Sequence, residues 1–244
     1  MRNLLTALAA LVIVGAAGAA YFVTRDAPPG ASQSSAMVVG GTPAATGPEA
    51  TAQTAQTGQP ELGPDEHVLG KTDAPVTIIE YASMTCPHCA AFHSQVMPQI
   101  KSEYIDKGLV RYVFRPFPLD GLAARASLMA QCVPGDSYFN MLEILFRSQK
   151  DWLSAADPLA ALKQIGRTAG LSEADIDRCM ADEAVSSKMV AGMQDAQTRF
   201  GINSTPSFVV NGTTYTNRPF EDFEEEGTKQ PGFDTIIKGL LQKT

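Results

Sequence analysis

The chain is short of the features that would place it in several large functional classes. It has only four cysteines in 244 residues, and only one close pair, Cys86 and Cys89; Cys132 and Cys179 stand alone. A four-cysteine zinc site built from two close pairs is therefore excluded, and no metal is expected. Haem attachment needs a histidine directly after the second cysteine, where Ala90 stands. Basic residues do not dominate: 19 Lys and Arg against 26 Asp and Glu give a net charge of −7, which argues against nucleic acid or an anionic membrane surface as partner. There is no internal repeat. The stretch from Arg25 to Glu61 shows no heptads, so it offers no evident coiled-coil arm for dimerisation.

The informative feature is Cys86-Pro87-His88-Cys89. Before it, Val76-Thr77-Ile78-Ile79-Glu80-Tyr81 is β-branched and apolar, the composition of a buried strand. After it, from Ala90 to Ile105, Phe92, Val96, Ile100 and Tyr104 recur at helical spacing. The motif thus falls where a strand ends and a helix begins, where unpaired backbone N–H groups and the helix dipole stabilise negative charge. A thiolate at Cys86 gains from that position, and His88 adds to it when protonated. Cys89, one turn further in, is expected to be the less accessible partner. A dithiol of this kind exchanges disulfides with other proteins and needs no cofactor.

Leu4 to Val23 is an unbroken run of apolar and small residues after Arg2. As a helix rising about 1.5 Å per residue it could cross a hydrocarbon core of about 30 Å. Residues 1–24 are expected to direct export, either as a cleaved signal peptide or as a retained membrane anchor. Residues 25–61 are rich in Pro, Gly, Ala, Ser, Thr and Gln and read as a flexible linker with a reach of about 35 Å. Residues 62–244 are long enough for one well-cored domain.

Within it, Leu109 to Phe114 reads as a second central strand. From Gly121 to about Phe200 the pattern is helical, broken at Pro134-Gly135, at Ala156-Asp157-Pro158 and at Gly170, with Ser154 and Ser172 as caps. Strand character returns at Pro206 to Val210, and Asn211-Gly212 signals a hairpin into Thr213 to Thr216. A last helix covers Phe233 to Gln242. Glu221 to Glu226 reads as a solvated face or turn, His67 as a solvated residue at the domain edge, Trp152 as part of the helical core, and Met180, Met189 and Met193 as core filling. Strand–helix–strand, then hairpin and helix, is an α/β, thioredoxin-like arrangement with an inserted helical domain at about 120–200.

CPHC with Phe92 behind it, Glu80 six residues ahead of Cys86, and Thr205-Pro206 followed by Asn211-Gly212 resemble the DsbA family of exported thiol:disulfide oxidoreductases. The resemblance covers nearly all of residues 62–244. It implies that Cys86, Pro87, His88 and Cys89 form the redox centre and that Glu80 lies beneath it, moving protons to and from the buried sulfur. It also implies that Thr205 and Pro206 form a cis-proline loop facing the disulfide, with the Thr205 backbone free to pair with an extended substrate. His93, a turn below Cys89, stands where the family often has an acid; it either tunes the centre or caps a helix face. Exported proteins seldom leave two thiols unpaired, so Cys132 and Cys179 are expected to form a structural disulfide, as in an alphaproteobacterial DsbA subgroup; two separate buried cysteines are the alternative.

The function so implied is a periplasmic dithiol oxidase, free or anchored to the inner membrane, that oxidises reduced exported proteins. A DsbB-like, quinone-linked membrane oxidase would then re-oxidise it. A disulfide isomerase or reductase kept reduced by a membrane electron donor is the alternative, and a non-catalytic binding module the third reading. Oxidases of this family are typically monomers, as is expected here, whereas exported isomerases use an oligomerising arm, so a linker without heptads favours the oxidase; the intact CPHC disfavours the binding module.

Overall fold

A computed structural model of the chain describes residues 61–133 and 137–243. The expected export segment, the linker apart from Glu61, and the break at Pro134-Gly135 lie outside the described residues. Five strands form the main sheet in the order β1-β3-β2-β4-β5. They are β1 Val68–Leu69, β2 Val76–Ala82, β3 Val110–Pro116, β4 Ser207–Val210 and β5 Thr213–Thr216. β2 runs parallel to β3 and antiparallel to β4, which places it at the centre. Its seven residues are all buried, as an apolar run covered on both faces must be.

The side-chain alternation of β2 divides the core in two. Ile78 and Ala82 face the larger cluster, with Cys89 and Phe92 from helix α1 (Pro87–Gln95) and Ile236 and Ile237 from the C-terminal helix (Phe233–Leu241). Ile79 and Tyr81 face a smaller cluster with Val113, Val209 and Phe200. Glu80, in phase with Ile78 and Ala82, is thereby aimed at the α1 side of the sheet.

The helix expected as continuous to Ile105 is broken. α1 ends at Gln95, α2 spans Met97–Ile100, and a π-helical turn covers Lys101–Ile105. Pro98 supplies the cause, since it has no N–H for the helical ladder and its ring clashes with the preceding turn. The insertion consists of α3 Gly121–Gln131, α4 Ser137–Arg147, α5 Gln149–Leu153, α6 Pro158–Thr168, α7 Glu173–Met180 and α8 Glu183–Phe200. Ser172 caps α7 by accepting from the Asp175 N–H at 3.1 Å. Ser154 caps nothing at a helix start: α6 is capped by Asp157, whose Oδ1 accepts from the Ala160 N–H at 3.0 Å, and Ser154 closes α5 instead. Trp152 is buried and its ring N–H donates to the Leu145 carbonyl at 2.9 Å. Met180 packs against the larger core and Met193 against the smaller, while Met189 lines a surface cavity.

Asn211 and Gly212 turn β4 into β5 with φ of 44° and 89°, the pair of positive values a type I′ turn requires. α9 is the C-terminal helix, Phe233–Leu241. Three strands carried no sequence signal. β1 has only two residues, and the acidic run around Glu224 lies in a separate exposed hairpin, β6 Phe223–Glu225 with β7 Thr228–Gln230. His67 is not a free edge residue: its ring stacks on Tyr138 with centroids 3.9 Å apart. Beside it, Glu66 pairs with Arg115 at 2.5 Å, drawing the segment ahead of β1 onto the domain. No helix among the described residues is long and apolar enough to cross a membrane.

Candidate active site

Cys86 is the N-cap of α1, with extended backbone angles, and Pro87 follows as the first helical residue. Proline fits there because its fixed φ suits the helix and an N–H at that place has no intrahelical acceptor. The free donors at the helix start are then the amides of His88 and Cys89, which both act on the Cys86 sulfur. The Cys86 pKa is lowered to about 5. The leading cause is a hydrogen bond from the Cys89 thiol, with the Thr205 hydroxyl and the two amides adding to it against the opposing effect of burial. Cys89 is driven the other way: burial first, then its bond to Cys86 and the negative charge of Glu80 hold its thiol protonated far above the ordinary thiol range.

The two sulfurs differ less in exposure than in electrostatics. Cys86 is 5% exposed and Cys89 0%, so the expected accessible nucleophile is largely covered. The cover is the loop before β4, where the Thr205–Pro206 peptide is cis. The Cys86 thiol donates to the Thr205 carbonyl at 3.3 Å. The Thr205 hydroxyl, buried and without another hydrogen-bond partner, is available once the sulfur ionises. Pro87 and His88 are exposed, and the His88 main-chain amide adds the smallest of the hydrogen bonds that lower Cys86.

Glu80 is fully buried beneath the pair. Its Oε2 accepts from the Tyr112 hydroxyl and pairs with His93 Nε2 at 3.0 Å, while Oε1 has no partner among protein groups. Burial and the neighbouring carboxylate push the Tyr112 phenol well above its ordinary range, so it acts as a donor only. Tyr112 follows from the strand pattern as a core residue, but its bond to Glu80 depends on the β2–β3 pairing, in which it lies opposite Ile78.

The insertion grips the motif from outside. Gln149 on α5 is buried and donates from Nε2 to the carbonyls of Met84 and Cys86, each at 2.9 Å. Thr85 donates to Asp120 at 2.6 Å, tying the same loop to the cap of α3. Nothing in the local pattern marks Gln149, because its acceptors lie more than sixty residues earlier in the chain. Cys132 and Cys179 form a disulfide that joins the C-terminus of α3 to α7, with Cα atoms 6.1 Å apart. No group of three or more metal-ligating side chains occurs among the described residues.

A family profile described as "Thioredoxin" matches residues 63–226. A Rickettsia bellii protein whose name assigns it provisionally to the protein-disulfide oxidoreductases is 31% identical over 159 residues, 64% of this chain. The chain spans 61% of the length of that relative. Disulfide bond formation protein D of Bacillus subtilis is 30% identical over 70% of this chain and 78% of its own length. Among solved structures, alpha-DsbA1 of Wolbachia pipientis matches with a TM-score of 0.62 and 32% identity, over 75% of this chain and 94% of that one.

Proposed function

We propose, for a chain that belongs to the thioredoxin-like DsbA family, that it is a protein disulfide oxidoreductase working as an exported dithiol oxidase in the periplasm. The observation that carries this is the opposed behaviour of the two thiols, Cys86 lowered to about 5 and Cys89 raised. A substrate thiolate attacks Cys86 Sγ of the oxidised pair, and Cys89 departs and takes a proton that Glu80 carries. A second substrate thiolate then attacks the substrate sulfur of the mixed disulfide, and Cys86 leaves as a stabilised thiolate. Stabilising the thiolate stabilises the reduced enzyme, and that makes its disulfide a strong oxidant.

Thr205 and Pro206 form the wall against which an extended substrate lies, with the Thr205 carbonyl beside the reacting sulfur. Pro87 holds the start of the helix, and the exposed His88 ring adds positive charge near the thiolate when protonated. Cys132–Cys179 staples the insertion and takes no part in electron transfer. The residues at 1–24 deliver the domain across the inner membrane, cleaved or retained, and a DsbB-like quinone-linked membrane protein restores the disulfide. The oxidase is favoured over the isomerase or reductase because an oxidising pair, in a chain without heptads, suits donation of disulfides by a monomer.

The test is stoichiometric. The oxidised protein, mixed with a reduced, unfolded protein substrate, should pass its disulfide on within one turnover, and Cys86→Ala should abolish the transfer. Rapid reshuffling of a scrambled substrate by the reduced form, with no net oxidation by the oxidised form, would contradict the oxidase assignment.

A further inference from the structure

A cleft of about 350 Å³ opens between α1–α2 and α4, and none of its lining residues belongs to CPHC or to the Thr205–Pro206 loop. Among those lining residues are His93 and Tyr112. They are the same two side chains that hold Glu80 Oε2. Glu80 and Cys89 are both 0% exposed, so neither can trade a proton with solvent directly. His93 keeps 8% of its side chain exposed. Its ring stacks on Phe146 of α4 at 4.1 Å and meets Phe92 edge-on at 5.4 Å, which fixes its plane.

We propose that His93 is the proton port of the buried centre, relaying protons between Glu80 and the solvent of this cleft. The inference rests on the reading of Glu80 as the proton carrier for Cys89 and adds the route by which Glu80 is itself refilled. Tyr112 also bridges the carboxylate and the cleft, but its raised phenol pKa keeps it a donor that orients the carboxylate. An imidazole has two ring nitrogens, each able to hold or release a proton, so one can face Glu80 while the other faces the cleft. The charged groups around His93 are Glu80 from β2 and, lining the cleft, Lys101, Glu143 and Arg147. Glu143 and Arg147 pair with each other at 3.2 Å, and Lys101 pairs with Asp106 at 2.6 Å.

Two substrate thiols lose two electrons and two protons and become a disulfide. The electrons break the Cys86–Cys89 bond, leaving Cys86 as thiolate and Cys89 as thiol. One of the two protons stays in solvent, and Cys89 takes up one that enters from the cleft through His93 and then Glu80, which is left as the carboxylate beside the Cys89 thiol. Re-oxidation by another disulfide sends the proton back along the same route.

The experiment follows reduction of the oxidised full chain by dithiothreitol in a stopped-flow instrument, across pH, in H2O and D2O. His93→Phe keeps the ring against Phe146 and removes the nitrogens. It should slow reduction by at least about tenfold, below the ~10²–10⁴ that a positioned acid–base group can supply, and raise the solvent isotope effect. His93→Ala leaves space at the cleft floor, where added imidazole should restore the rate in a saturable way. A folded His93→Phe protein with the wild-type rate and pH profile, or no rescue by imidazole, overturns the port. Glu80→Gln separates the two ideas. If it is slow while His93→Phe is normal, the port alone fails; if it is itself unaffected, the reading of Glu80 fails and the port with it.

Discussion

Cys86 and Cys89 are separated by only two residues, yet one thiol is lowered and the other raised, because one sulfur sits at the helix start and the other behind it. Alkylation of the reduced protein should therefore show one reactive thiol, Cys86, with a midpoint at about pH 5, and Cys89 silent across the same range. A mass-mapped iodoacetamide titration reads this directly, and a faster Cys89 would reverse the roles. The order of causes gives a second expectation. Cys89→Ala should raise the Cys86 midpoint more than His88→Ser does, since the Cys89 thiol is the largest influence and serine removes only the His88 ring while keeping the amide that bonds the sulfur. Thiolate absorbance as a function of pH distinguishes the two variants. CPHC and its neighbouring strand could be read from local sequence, and the resemblance to the DsbA family pointed to Glu80. Tyr112 could not be linked to Glu80, since that bond needs the register of two strands more than thirty residues apart.

The insertion is tied to the loop that carries Cys86 by specific polar contacts as well as by packing. Gln149→Ala should cost about 1–3 kcal/mol in denaturant unfolding, because the buried carbonyls of Met84 and Cys86 would both lose their Gln149 donor. Replacing Cys132 and Cys179 together with alanine should lower stability by up to about 4 kcal/mol, the loop-entropy figure for a separation of 47 residues. The redox equilibrium of Cys86 and Cys89 should stay unchanged; loss of oxidase activity in a folded double variant would mean that the second pair carries electrons. Helical periodicity located the insertion, and Ser172 marked the start of α7 correctly. Ser154 resembles a cap in the sequence, but Asp157, three residues later and next to Pro158, caps α6. The helical spacing also runs on through Pro98, past the end of α1. β1 and the β6–β7 hairpin escaped notice because two or three residues are too few for a periodic signal.

At the scale of the whole molecule, the thiolate links redox state to stability. The Cys86 pKa in the folded reduced protein lies below its unfolded value, so its ionisation stabilises the reduced fold fully above the unfolded thiol pKa of about 9. That contribution shrinks as pH falls and is gone below about 5. Thermal unfolding of the two redox forms should accordingly show the reduced protein losing stability relative to the oxidised one from pH 9 to pH 5. The measurement that bears most directly on the central claim is the equilibrium potential of Cys86–Cys89 against glutathione. A pair with its first thiolate so favoured should equilibrate well above thioredoxin, at a potential less negative than about −200 mV. A value near thioredoxin's, about −270 mV, would contradict the oxidase account and assign the chain to reduction.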